Sequence, residues 1–194
     1  MEIDDKTNAF SKDRYIAKEV LKLKKEFNLE CAIETGSAFG ETTDWLGYNF
    51  DYVFSVENNP KNHNSCKERF KDRTNINLHL GDSVSFVQEM VNINKNKKCL
   101  FYLDAHGSIP TPTPLELKHI INMKEKPCIV IHDFFVPNKN FNYDKYGDFE
   151  YKIENIIDTL DLIYNKNYEF YYNDRTDPEG YNVGCIFIKP KKLV

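Results

Sequence analysis

Cys31-Ala32-Ile33-Glu34-Thr35-Gly36-Ser37-Ala38-Phe39-Gly40 reads as a short apolar strand that ends in a carboxylate and runs into a tight glycine loop. Glycine at position 36 permits positive φ and lets a ligand come close to the backbone. The helix expected over 41–48 offers unbonded N–H groups at its start to a carboxylate or phosphate. Glu57 stands 21 residues beyond Gly36, at the end of the next apolar run, 52–57. An acid at that spacing is placed to take ribose hydroxyls. A ligand that contains a nucleoside follows.

Outward from this loop the chain alternates strands and helices. A helix is expected over 11–27, capped by Ser11, with Tyr15, Ile16, Val20, Leu23 and Phe27 at helical spacing. Pro60 opens a helix running to about Phe70. A third strand over 76–80 precedes Gly81-Asp82-Ser83, where Asp82 or Ser83 caps a helix over 84–93. A fourth strand spans 100–104, Pro114 opens a helix with Leu117, Ile120 and Ile121 on one face, and a fifth strand spans 129–133. A polar and aromatic segment, 135–148, suggests a lid. After it come a helix carrying Phe149, Ile153, Ile156, Ile157 and Leu160, and two closing strands over 169–172 and 183–188. Five β-α units in succession, with strands apolar on both faces, predict an α/β Rossmann-like three-layer sandwich built on a mostly parallel sheet. All 194 residues are expected to form one domain.

The five expected strands end in Glu34, Glu57, Asp82, Asp104 and Asp133. Residues far apart in sequence would meet on one rim, where open α/β sheets bind ligands. A dinucleotide site reads G-x-G-x-x-G/A, because the pyrophosphate lies against the middle glycine. Here Ala38 and Phe39 occupy the loop interior. The acids suit a cationic ligand: Glu34 or Asp104 for an ammonium, Asp82 for an adenine amino group.

Composition narrows the class. The formal charge of −4 and the scattered short lysine runs speak against nucleic acid as partner. No apolar run reaches membrane-spanning length, and the acidic start, 1–5, shows no signal-peptide core; the cytoplasm is the expected compartment. Cys31, Cys66, Cys99, Cys128 and Cys185 show no C-x-x-C spacing and read as reduced, buried residues. His63, His79 and His119 read as structural or surface residues.

Residues 33–43 resemble motif I of the class I S-adenosylmethionine-dependent methyltransferases. Val53-Phe54-Ser55-Val56-Glu57 resembles their ribose-binding strand, and Leu80-Gly81-Asp82-Ser83 their adenine-binding segment. Asp104-Ala105-His106, followed by Pro114-Leu115-Glu116-Leu117 and Ile131-His132-Asp133, is similar to a bacterial branch containing small-molecule and sugar O-methyltransferases. The resemblance implies a seven-stranded sheet with an antiparallel last strand. It implies cofactor contacts from Glu34, Thr35, Gly36, Ser37, Phe39, Gly40, Thr42, Thr43, Glu57, Asn58, Asp82, Ser83 and Asp104. Ala38 stands where many relatives have glycine, a change expected to alter the loop's shape.

Methyl transfer to oxygen needs alignment and removal of a proton. Two sets present themselves: His106 as a base, or Asp104 with Asp133, and His132 beside them, around Mg²⁺. Phe134 follows Asp133 where some metal-dependent relatives carry Asp or Asn, which leaves the third ligand open. Phe39, Phe134, Phe135, Phe141, Tyr143 and Tyr146 would wall an acceptor pocket or pack within the lid. The expected partner is a small hydroxylated acceptor such as a sugar. The alternatives are a nicotinamide-dependent oxidoreductase or epimerase, and a non-catalytic interaction domain of the same fold.

Overall fold

The computed structural model describes residues 7–107 and 109–192; the acidic start, 1–5, lies outside the described residues. A seven-stranded sheet has the order β3 (Ile76–Leu80), β2 (Tyr52–Glu57), β1 (Cys31–Thr35), β4 (Cys99–Leu103), β5 (Cys128–His132), β9 (Cys185–Pro190), β8 (Tyr168–Tyr172). The first five are parallel, and β9 runs antiparallel to both neighbours. β1 lies at the switch point: the chain winds out from it to β2 and β3, then returns to add β4 on its other side. This is the position at which open α/β sheets bind ligands.

Alternate residues of each strand feed two cores. Ile33, Phe101, Leu103, Ile129, Ile131, Ile186 and Ile188 face α5 (Ser83–Asn94), α6 (Thr113–Ile120) and α7 (Ile157–Tyr164). Ala32, Leu100, Tyr102, Val130 and Phe187 face α1 (Ala9–Lys12), α2 (Arg14–Phe27) and α3 (Glu41–Asn49). α4 (Pro60–Arg69) packs on β2 and β3. β1, β4 and β5 are buried at every position, as their unbroken apolar character requires. All five cysteines are free and buried. No helix of the described residues is long and apolar enough to cross a membrane.

Two local expectations are corrected, and one left open between two residues is decided. The helix over 11–27 is two helices, and its cap is Asp13, which accepts from Tyr15 N and Ile16 N; Ser11 lies in a left-handed turn with φ of 57°. Asp13 wins because its carboxylate reaches two exposed amides and, from across the molecule, Asp177 N as well. Asp82, not Ser83, caps α5 through Ser85 N. Phe149 belongs to a hairpin, β6 (Lys145–Tyr146) with β7 (Phe149–Glu150), rather than to the following helix. That helix begins only at Ile157, after a 3₁₀ turn, Ile153–Asn155.

Candidate active site

The carboxyl ends of β1 to β4 meet above the switch point, where a cavity of about 620 Å³ opens. Gly36, Glu57, Asn58, Asp82, Ser83 and Asp104 line it, six of the residues named from the sequence. A second cavity of about 440 Å³ adjoins it through Gly36, Ala38 and Asp104, and takes its walls from Ser37, Phe39 and Thr42. Its far side is the N-terminal turn, Asn8, Ser11 and Lys12, together with Tyr181. Long-range packing brings that turn there: Phe10, fully buried, sits edge-on to Trp45 and Tyr102, and its N–H donates to Thr42 Oγ1 at 2.9 Å.

Four of the expected cofactor residues lie beneath these cavities instead of lining them. Glu34 is completely buried; Thr43 Oγ1 and Ser55 Oγ both donate to its Oε2 at 2.5 Å, and Ser37 continues the chain through Ser55. Burial pushes the Glu34 carboxyl up to about 7, against the pull of those two hydroxyls. It lies beneath the loop, and of the two candidates for an ammonium only Asp104 lines the cavities. Thr43 is buried with Glu34. Thr35 accepts from Asp104 N through both its carbonyl and its hydroxyl. Gly40 has φ of 82°, and a Cβ there would stand 2.9 Å from the Phe70 ring.

The glycine loop uses most of its own amides. Gly36 N and Ser37 N donate to Val56 O, Gly40 N to Ser37 O, and Ala38 N to Glu57 Oε2 at 2.7 Å. Glu57 Oε1 takes Asn59 N at 2.8 Å, leaving each oxygen a further lone pair toward the cavity. Ala38 adopts the left-handed backbone, φ 46°, that glycine takes without strain. Gly36, with φ of 85°, is irreplaceable on distance as well: a Cβ there would stand 2.6 Å from Asp104 O.

The two proton-handling sets read from the sequence form a single cluster. His106 Nε2 lies 3.6 Å from Asp104 Oδ1, and His132 Nδ1 lies 3.4 Å from the same oxygen and 3.0 Å from Asp133 Oδ2. Tyr102 O–H donates to Asp104 Oδ2 at 3.3 Å. Burial disfavours charge on both imidazoles, but the carboxylates around them outweigh it and raise both. Burial likewise tends to raise Asp133, and His132 holds it below the usual carboxylate range. Asp133 has φ of 51°, a strained backbone at the end of β5.

Two members were not legible in the sequence. Asp144, on the segment after β5, reaches His106 Nδ1 at 3.0 Å and accepts from Tyr146 O–H. Glu116 of α6 is completely buried near the cavity floor, beside the hydroxyls of Ser83 and Thr35. Neither oxygen has a well-formed hydrogen bond, and burial pushes it up to about 7. Of the aromatics, Phe39 is two-thirds exposed at the mouth of the second cavity, Phe134 is a core residue stacked on Tyr172, and Phe135 packs on Tyr143. His63 is buried and His79 packs on Phe86, both structural as expected.

No family model and no curated protein matches this sequence. Solved structures do. An O-methyltransferase from Bacillus cereus in complex with SAH superposes with a TM-score of 0.63 at 14% identity, over 91% of this chain and 81% of that one. A S-adenosylmethionine-dependent methyltransferase from Clostridium acetobutylicum gives 0.58 at 15%, over 98% and 94%. An rRNA methylase from Streptococcus thermophilus gives 0.59 at 11%, over 91% and 97%. The shared property is the Rossmann-like fold of class I methyltransferases. The acceptors those names imply differ, so the fold does not choose among them.

Proposed function

We propose that this chain, which has the class I methyltransferase fold, transfers the methyl group of S-adenosylmethionine to an oxygen of a small hydroxylated acceptor such as a sugar. The observation that carries the reading is the pair of joined cavities, with the Gly36 loop and the ends of β2, β3 and β4 on their walls, Asp104 lining both, and His106 and Asp133 clustered beside Asp104.

Each part of the cofactor has a counterpart. Glu57 offers its remaining lone pairs to the ribose hydroxyls, and Asp82, anchored by Ser85 N, offers Oδ1 to the adenine amino group. Asp104 faces the methionine ammonium. The first amides of α3, at Glu41 and Thr42 on the wall of the second cavity, suit the carboxylate. A dinucleotide fits poorly, because the loop amides that would cradle a pyrophosphate already donate to Val56, Ser37 and Glu57.

In the reaction the acceptor oxygen attacks the methyl carbon in line with the carbon–sulfur bond. That bond's electron pair leaves on sulfur, giving S-adenosylhomocysteine and a methyl ether, and the hydroxyl proton departs by way of the polar cluster. Asp104, His106 and Asp133 are the catalytic residues that would touch this oxygen. A divalent cation such as Mg²⁺ would be held by the two carboxylates, Asp104 and Asp133; when bound, it would make a hydroxyl more acidic.

Calorimetry with S-adenosylmethionine and S-adenosylhomocysteine tests the assignment. Micromolar binding by the wild type is expected, weakened at least about tenfold in Glu57→Ala by loss of a charge-assisted hydrogen bond. A folded protein that binds neither compound would sink the proposal.

A further inference from the structure

Asp104, His106 and Asp133 come from the ends of two adjacent strands, and one donor atom of each lies within 4.8 Å of the other two. Atoms that share one small divalent ion at bonds of about 2.0–2.3 Å are spaced in this way. Clustered acids alone prove little, and the imidazole is what decides. The His106 side chain is only 9% exposed, and both its ring nitrogens are buried without a well-formed hydrogen bond; Nε2 stands 3.6 Å from Asp104 Oδ1. Its Nδ1 faces Asp144 Oδ2 at 3.0 Å. With the ring proton on that side, Nε2 turns a lone pair toward a carboxylate. A proton on Nε2 or a cation between the two atoms makes that contact attractive, and a bound divalent ion takes the proton's place.

The surroundings hold this arrangement in place. Asp144 is fixed by Tyr146 O–H at 2.8 Å and by its own N–H donating to Asp133 O at 2.9 Å. The His106 ring stacks on Tyr151 with centroids 4.5 Å apart, and Tyr151 O–H is tied to Thr111 and Thr113. From the other side His132 Nδ1 reaches both carboxylates. A carboxylate behind the far nitrogen of a histidine sets the tautomer and aim of a metal ligand.

We infer that Asp104, His106 through Nε2, and Asp133 form a site for a first-row transition cation of the Mn²⁺ or Fe²⁺ type, in preference to Mg²⁺, with Asp144 as the residue that positions His106. Mg²⁺ favours all-oxygen shells and retains its waters, whereas imidazole suits the transition ions. Three protein ligands leave positions open for water and an acceptor oxygen. This answers which residue stands third beside the two acids: not the one after Asp133, where Phe134 points into the core, but the one two places after Asp104. The inference rests on the methyltransfer reading only for the use to which the ion is put.

The test is a titration of the metal-stripped full chain with Mn²⁺, without S-adenosylmethionine, followed by electron paramagnetic resonance. One Mn²⁺ per chain is expected to bind, at least about tenfold tighter than Mg²⁺ in competition. Pulsed spectra should show ¹⁴N coupling from a directly bound imidazole. His106→Gln should lose the coupling and His132→Gln should keep it. Asp144→Asn, which leaves all three ligands in place, should weaken Mn²⁺ about tenfold. Equal affinity for Mg²⁺ and Mn²⁺, coupling that survives in His106→Gln, or a folded protein that binds no Mn²⁺ would overturn the inference. Cofactor binding without Mn²⁺ binding defeats this inference alone; Mn²⁺ binding without affinity for either S-adenosyl compound defeats the proposed function alone.

Discussion

Ala38 shows at the scale of one residue how a sequence difference resolves. An alanine held in the left-handed conformation bears strain that a glycine would not, and here φ is 46°. In this conformation its N–H donates a charge-assisted hydrogen bond to Glu57 Oε2 at 2.7 Å. Ala38→Gly should therefore raise stability by about 1 kcal/mol with cofactor affinity retained, as read from urea midpoints and calorimetry. A loss of stability would show that the loop is not strained. The acids at the strand ends were legible because chemistry and spacing mark them. That Glu34 supports the loop and Asp104 faces the cavity was not, because burial separates them and burial is set by Thr43 and Ser55, partners distant in sequence. Asp144 was hidden for the same reason: nothing between it and His106 in the chain signals that they meet.

At the scale of elements, the parallel strands were readable because each is apolar on both faces, while helix ends shifted wherever a tertiary contact outbid a local one. Asp13 replaces Ser11 as the cap of α2 since it also holds Asp177 N. Phe149 fits a helical pattern by spacing, but β6 and β7 pair locally and place it edge-on to Tyr151. The junction of β9 with β5 depends on Gly184, whose carbonyl accepts from Phe134 N at 2.9 Å, and a Cβ there would stand 2.0 Å from Phe134 O. Gly184→Ala must push the two backbones apart beside Asp133. A cost of about 3 kcal/mol is expected in chemical denaturation, together with weaker Mn²⁺ binding, because Asp133 moves with Phe134. An unchanged denaturation midpoint would contradict this contact.

For the whole molecule the two buried carboxyls, Glu34 and Glu116, set a pH dependence. Both are pushed up to about 7 by burial, from the ordinary glutamate value of 4.5. Between those two values the folded chain holds protons that the unfolded chain has released. Stability therefore falls as pH rises through this window, by up to about 1.4 kcal/mol per pH unit for each group. The protein should be more stable at pH 5 than at pH 8 as far as these groups act. Glu34→Gln keeps an acceptor for Thr43 and Ser55 and should flatten part of the slope, which thermal melts across the range would show. A slope identical to that of the wild type would mean that Glu34 titrates normally.

The strand order carries a consequence for how the chain is made. Of the seven strands of this sheet β9 is synthesised last, yet it takes an interior place, between β5 and β8. Until residues 185–190 emerge, the Cys128–His132 strand has an open edge, and Tyr168–Tyr172 has nothing to join. The first four strands can assemble while translation continues, but the half of the sheet that braces Asp133 has to wait. A nascent chain stalled before Cys185 would present an apolar, unpaired edge to its surroundings, the kind of surface that chaperones shield and that neighbouring chains extend.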